Sequence, residues 1–306
     1  MTKIFLILIG ICFISGQNDG MSYYGYGTGA DGELSVGSNE THYTDDVRTT
    51  IAGSVSPGSS SIAVSDAQGF SVGDEILIIS MTHTENSSDI GNYETRHIDA
   101  ISGTTLTLDY QIENNYHSSS QVIRVPNYTN VDLNGTISCH DWNGSTGGVV
   151  FFRATELTGS GTIDASGKGY RGGECGSCGN AAWGIQGEGI TGTGTGSLSN
   201  NINGGGGGYG PSGLSGEPGA GGGHGTAGTI GNGAYDSVGG SVVGDANLNQ
   251  IFMGGAGGGG GDNDGVQPYP YGGNGGGIVI VAVSSIDIDS INSNGEDGFC
   301  NKYVAS

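Results

Sequence analysis

The chain has 306 residues, with 8 Lys and Arg against 30 Asp and Glu, a formal net charge of −22. So acidic a surface repels polyphosphate and acidic headgroups, which excludes nucleic acid and anionic membrane as partners. Glycine dominates the composition at 66 residues, and a glycine-rich segment stays disordered unless something offsets its large loss of entropy on folding.

The chain opens on Met1-Thr2-Lys3, an apolar run from Ile4 to Ile14 (IFLILIGICFI) and a small-residue exit at Ser15-Gly16. That layout predicts a secretory signal peptide over residues 1–16, and the run is too short to span a bilayer. A secreted, extracellular chain without membrane insertion is expected. Residues 17–45 are rich in Gly, Ser, Thr, Tyr and Asp without a period, which predicts a flexible N-terminal segment.

Residues 46–166 read as a β-rich domain. Ser61-Ile62-Ala63-Val64 alternates, and Gly73-Asp74-Glu75 leads into Ile76-Leu77-Ile78-Ile79. Ile98, Ile101, Leu106 and Leu108 flank a Ser102-Gly103 turn, and runs at Val122 to Val125 and Val131 to Leu133 follow. Strand-sized apolar runs broken by Gly, Asn, Asp and Ser mark short strands. No stretch sustains apolar residues at helical spacing, so the fold class is all-β with almost no helix.

Residues 167–306 form a glycine-rich bundle closed by a C-terminal strand unit. Gly147-Gly148 with Val149-Val150-Phe151-Phe152, Leu157 and Ile163 recurs, with one gap, as Gly276-Gly277 with Ile278-Val279-Ile280-Val281, Ile286 and Ile291. Each apolar quartet suits a strand buried on both faces, and the two units bracket the glycine region. Within it, glycine holds every third position from Gly204 to Gly231, and shorter triplets run through Gly173, Gly176 and Gly179 and through Gly254 to Gly261.

A flexible linker needs no such period. A period of three fits a left-handed extended helix with three residues per turn, whose glycine edge lets a neighbouring backbone approach and pair. Two assemblies satisfy it. One is a collagen-like triple helix between chains, suggested by Gly210-Pro211 and Glu217-Pro218-Gly219. The other is an intramolecular polyglycine-II-like bundle, favoured by several short runs separated by turns.

Over about residues 167–277 the pattern resembles the polyglycine-II-type domains of certain phage tail-fibre adhesins, of the anaplastic lymphoma kinase receptor group and of snow-flea antifreeze protein. The resemblance is one of composition and period, and it implies a rigid bundle. Separately, GFSVGDEILII (69–79), RVPNYTNV (124–131), WNGSTGGVVFFRA (142–154) and GTIDASGKGYRGG (161–173) are similar to secreted bacterial glycine-rich proteins. That second resemblance implies no activity.

Once Cys12 leaves with the signal peptide, Cys139, Cys175, Cys178 and Cys300 remain. An even count in an oxidising compartment predicts two disulfides with three connectivities open. Cys175 and Cys300 follow the two repeat units at similar offsets, which makes their pairing attractive. Cys175-Gly-Ser-Cys178 is also half of a zinc site, but a second tight pair is missing. Sequons at Asn39, Asn86, Asn127, Asn134 and Asn143 are candidate glycosylation sites in a eukaryotic source.

Asp262-Asn263-Asp264-Gly265 has the look of part of a calcium loop, making Asp262 and Asp264 candidate metal ligands, but the terminal Glu is absent. No other cofactor is expected. Nucleophile elbow, zinc-protease and phosphate-loop motifs are missing. Tyr269 and Tyr271 flank Pro270, and Tyr23, Tyr24 and Tyr26 cluster near the mature N-terminus. Such aromatics either pack on the bundle or stack on sugar rings.

The expected function is a non-enzymatic structural or adhesive protein of the cell surface or matrix that self-associates. The alternatives are a glycan- or ice-binding module and a polysaccharide-active β-solenoid enzyme.

Overall fold

The computed structural model describes residues 25–83, 87–175, 182–210, 216–244, 246–261 and 269–301. In chain order, β1 (Leu34–Val36) and β2 (Thr41–Tyr43) come first. β3 (Arg48–Thr50), β4 (Ser61–Ala63), β5 (Glu75–Ile79), β6 (Tyr93–Ser102), β7 (Thr105–Leu108) and β8 (Gln121–Val125) follow. Next are β9 (Asn130–Leu133), β10 (Thr136–Ser138), β11 (Val149–Thr158) and β12 (Thr162–Asp164). The glycine region holds β13 (Ala182–Trp183), β14 (Tyr209–Gly210) and β15 (Tyr269–Tyr271), before β16 (Ile278–Asp287), β17 (Ser290–Asn292) and β18 (Phe299–Asn301). The fold is all-β. The one helical piece among the described residues is a single 3₁₀ turn, Ser87–Asp89.

Eight of these strands stack as four rungs. One parallel sheet has the order β1-β9-β11-β16 and the other β2-β10-β12-β17, so each rung is one strand of each sheet joined by a short turn. Leu34 lies beside Val131, Val131 beside Leu157 and Leu157 beside Ile286. In the second sheet Ile137 pairs with Ile163 and Ile163 with Ile291. Val36, Leu133, Ile137, Val150, Phe152, Leu157 and Ile163 fill the space between the sheets.

The internal repeat is therefore a pair of adjacent rungs. Val149 opposes Ile278 and Thr158 opposes Asp287, whereas Thr162 opposes Ser290. The one-residue gap falls in the turn. At that turn Gly159 has φ +134, and a Cβ there would strike the Leu133 carbonyl.

The first rung corrects the flexible reading for part of the N-terminal segment. Leu34–Val36 and Thr41–Tyr43 are paired strands, and the packing partners that order them lie in β9 and β10, far along the chain.

Between the first and second rungs the chain makes a separate antiparallel sheet of order β3-β8-β5-β6-β7-β4. Its edges meet. Ile51 bridges Val64, the Ala52 N–H donates to the Ala63 carbonyl at 2.8 Å, and the Ser65 N–H donates to that of Thr50 at 2.8 Å. The result is a six-stranded barrel filled by Ile51, Ile62, Val64, Ile76, Ile78, Leu106 and Val122. All of β5 is buried. Ile76 and Ile78 point into the barrel, while Leu77 and Ile79 join Trp142, Phe151, Tyr170 and Met253 in a third apolar cluster that fastens barrel, rungs and glycine region together.

Between the third and fourth rungs lies the bundle, centred on residues 254–261. Gly254, Gly257 and Gly260 donate their N–H groups to the carbonyls of Gly276, Gly273 and Pro270. Gly255, Gly258 and Gly261 donate to Gly223, Ala220 and Glu217, and Ala256 and Gly259 to Glu188 and Ile185. These bonds are 2.8–3.2 Å long. The segment thus pairs with three neighbours in turn, moving three residues along each per step, as a three-residue-per-turn helix must. A Cβ at Gly255 would strike the Asn203 carbonyl and one at Gly258 that of Gly206. The glycine period is a packing requirement within one chain.

Candidate functional site

The bundle gathers aromatic side chains at one end. Gly260 and Gly261 reach Pro270 and Glu217, and the Glu217 N–H donates to the Tyr209 carbonyl at 3.1 Å. The ends of four bundle segments therefore meet. Trp183 pairs across from Tyr209 in β13 and β14, and Tyr271 across from Phe299 in β15 and β18. The Trp183 and Tyr209 rings are 4.3 Å apart at 30°, and the Tyr209 and Tyr235 rings 5.3 Å apart at 86°. Tyr271 and Phe299 stack at 5.3 Å and 10°. Trp183, Tyr235 and Phe299 are 42%, 50% and 53% exposed, far more than packing over a core requires.

Backbone anchors hold this end. The Glu217 carboxylate, itself buried, accepts the Ala234 N–H at 2.6 Å and the Tyr235 N–H at 2.9 Å. Behind it, the buried Glu188 carboxylate accepts Trp142 Nε1–H at 3.1 Å and Arg171 Nε–H at 2.9 Å, tying the bundle to the rungs.

From the Tyr271–Phe299 stack a groove of about 470 Å³ runs along the bundle. Its floor is backbone from Gly219 to Gly222 and from Gly255 to Gly260, with Thr229 and Asn274 as neutral polar groups. Glu296 and Asp297, both exposed, lie along one side, where the Glu296 backbone carbonyl faces Gly273 and its side chain turns to Gly167. Most of the floor is glycine backbone, which leaves room for a flat ligand.

A smaller pocket of about 140 Å³ lies where β2 leaves the first rung, lined by His42, Tyr43, Asp46, Arg124 and Tyr128 among others. His42 Nε2 meets the Tyr128 hydroxyl at 2.9 Å. Burial lowers the His42 pKa against the pull of Asp46 and Glu40, and burial pushes Tyr128 up to about 12. Beside it the buried Asp45 accepts from the His140 N–H at 2.9 Å and lies 3.0 Å from His140 Nδ1. Among the described residues no group of three or more His, Cys, Asp and Glu is placed to hold a metal.

No family model matches the chain. No curated protein matches it either. Solved phage tailspikes show a distant likeness. The tailspike gp61 of Pseudomonas phage phi297 aligns with 44% of this chain at a TM-score of 0.26 and 15% identity. The Gp54 tailspike of Acinetobacter baumannii bacteriophage AP22, solved with A. baumannii capsular saccharide, aligns over 44% at 0.25 and 15%. The tailspike gp49 of Pseudomonas phage LKA1 aligns over 44% at 0.23 and 13%. The matched part spans 22% to 30% of those chains. Likeness this remote leaves the functional reading to the site itself.

Several residues singled out in the sequence are placed elsewhere or fall outside the description. Asp262, Asp264, Cys178 and Asn86 lie outside the described residues, as do the signal-peptide residues, Tyr23, Tyr24 and the Cys300 side chain. Cys139 is not in a disulfide. It is a free, fully buried thiol in the cluster between the two parallel sheets, and burial pushes its pKa far above the ordinary value. Cys175 is half-buried in the bundle.

Asn127 is corrected as a glycan acceptor. It is buried, and its side-chain amide donates to Glu75 Oε2 at 2.9 Å and to the Val125 carbonyl at 3.0 Å, leaving no room for a sugar. Asn39, Asn134 and Asn143 are exposed. Tyr271 is in the site. Trp183, Tyr209, Tyr235 and Phe299 were not foreseen; the signal was an aromatic beside a glycine at Trp183-Gly184, Tyr209-Gly210 and Gly298-Phe299.

Proposed function

We propose that the protein is a secreted, adhesive glycan-binding module that holds its ligand at the aromatic end of the glycine bundle without cleaving it. The observation that carries this is the exposed set Trp183–Tyr209–Tyr235 and Tyr271–Phe299 mounted on one end of a backbone-built body. Aromatic faces pack against the C–H face of a pyranose ring, and nearby polar groups orient its hydroxyls. Rings fixed on a rigid scaffold lose little entropy on binding.

The groove supports binding over hydrolysis. Glycoside cleavage uses two carboxyl groups flanking the scissile bond, whereas the two acids that line the groove among the described residues, Glu296 and Asp297, are consecutive on one side of it.

Tryptophan fluorescence tests the reading. The chain has 2 tryptophans, and Trp142 is buried while Trp183 is exposed, so a saccharide seated on the site shifts Trp183 emission. Trp183→Ala and Phe299→Ala should each weaken binding about tenfold or more, as stacked aromatic contacts of about 1.5 kcal/mol do. Release of reducing sugar would overturn the non-enzymatic part.

Self-association is a second reading, favoured by β16. This ten-residue strand is the edge of its sheet, and Val279, Val281, Ile286 and Ile291 are half-buried where their partners in the third rung are fully covered. A long apolar edge is a template for another strand. Light scattering across a concentration series tests it. Val281→Lys should reduce any assembly.

A further inference from the structure

We infer that the groove is a vacant place in the bundle that receives an extended glycine-repeat strand from another polypeptide. The inference goes beyond the saccharide reading and leaves the Trp183–Tyr209–Tyr235 cluster to it.

In a helix with three residues per turn, each residue of the turn sends its N–H and its C=O outward in directions of their own, so a segment can pair with neighbours all round. Around residues 254–261 the three N–H directions reach 270–276, 217–223 and 185–188. Two carbonyl directions are taken as well. Ala256 and Gly259 accept from the N–H groups of Gly205 and Gly208, and Gly257 from that of Gly173, at 2.8–2.9 Å. The Gly255 and Gly258 carbonyls share the remaining direction, and they accept from no described N–H.

The neighbours' own bonds show where that direction leads. The Ala220 and Gly184 N–H groups donate to Gly206 and Gly208, so 205–208 lies between 217–223 and 184–188. The Gly272 and Ile185 N–H groups donate to Gly173 and Glu174, so 173–174 lies between 270–276 and 185–188. The side between 217–223 and 270–276 is left, and the groove of about 470 Å³ occupies it, lined by Gly219 to Gly222, by Pro270 to Asn274 and by the central glycines. Added methyl groups would meet the same vacancy. A Cβ at Gly255, Gly258 or Gly259 would lie 1.8–2.1 Å from the carbonyl of Asn203, Gly206 or Glu174, whereas one at Gly257 meets nothing nearer than 3.4 Å.

What fits the place is another strand of the same kind. The open carbonyls recur every third residue, about 9 Å apart in such a helix, whereas a β-strand repeats at about 7 Å. Gly222 and Gly273, on the flanking segments, line the groove with N–H groups that no described residue accepts. The place therefore offers acceptors and donors to a backbone with three residues per turn. Its occupant needs glycine at every third position, for the reason that Gly255 and Gly258 are glycine. Completing an open backbone edge with a strand from another chain is how extended peptides bind sheets.

The test is fluorescence anisotropy of a labelled, soluble peptide of Gly-Ser-Asn repeats titrated with the full protein. It should bind about tenfold tighter, or more, than a peptide of the same composition with its glycines out of period, as two or more matched backbone hydrogen bonds supply. Gly257→Ala puts a methyl group into the vacancy without striking a neighbour. It should weaken peptide binding about tenfold or more, while the urea midpoint and the saccharide response of Trp183 stay unchanged.

Equal binding of the two peptides overturns the inference, as does binding undiminished in Gly257→Ala. Absence of binding by the repeat peptide overturns it too, because the place is then closed by this chain's own residues. A Gly257→Ala protein that unfolds in much less urea carries the same meaning. The saccharide titration is read separately, so either proposal can fail while the other stands.

Discussion

Arg153 and Glu75 form a buried ion pair that joins the barrel to the rung stack. Both side chains are 1% exposed, and Arg153 Nε–H and Nη2–H donate to the Glu75 carboxylate at 2.8–2.9 Å. Asn127 donates to the same carboxylate, and Arg153 Nη1–H to the Gly25 carbonyl at 2.5 Å. Every part of the pair is satisfied, which offsets the cost of taking two charges out of water.

Removing one partner should expose that cost. Glu75→Gln leaves a buried guanidinium without its counter-charge, and a loss of about 3–5 kcal/mol is expected. Urea denaturation read by far-ultraviolet circular dichroism measures it. The double change Glu75→Leu, Arg153→Met should recover much of the loss, because it leaves no charge unpaired.

Two successive positions of the glycine triplet should respond oppositely to a methyl group. A Cβ at Gly222 would strike the Gly255 carbonyl, whereas one at Gly225 meets nothing within 4 Å. Gly222→Ala should destabilise by about 1–3 kcal/mol through overpacking. Gly225→Ala should be neutral or stabilise by up to about 1 kcal/mol by restricting the unfolded chain. Melting temperatures of the two variants decide it.

The buried Cys139 thiol should be inert in the folded protein. Reactivity follows the thiolate, and burial first, then Asp45, holds this group protonated. Labelling of Cys139 by a thiol reagent, mapped by mass spectrometry, should be negligible in buffer and complete in denaturant. Cys139→Ala should leave the mass of the non-reduced protein free of any broken crosslink.

Stability should fall in mild acid partly through His42. Its pKa is lowered in the fold from 6.5, chiefly by burial, so the unfolded chain binds the proton more readily. The contribution of neutral His42 is therefore fully present above pH 6.5 and is lost as pH falls from there through the folded value. Tyr128 acts at the other limit. Raised to about 12 by burial, it favours the fold fully below the ordinary tyrosine value of about 10 and loses that contribution as pH rises through about 12. Urea midpoints for the protein and for His42→Gln at mildly acidic and neutral pH should converge at the acid end.

Local signals in the sequence determined the strand class, the near absence of helix, the glycine period and the paired units around Val149 and Ile278. Each is carried by residues close together, because a period of two or three is a property of one segment's own geometry. The tertiary structure alone decided that Leu34–Val36 is a strand, since what orders it is Val131–Leu133 in another part of the chain. It alone closed the barrel at Ile51 and Val64, buried Asn127 and Cys139, and set Trp183 beside Tyr209 and Tyr271 beside Phe299. Burial and side-chain convergence depend on which distant segments pack together, and in the bundle that choice is made by backbone hydrogen bonds, for which one glycine reads like another.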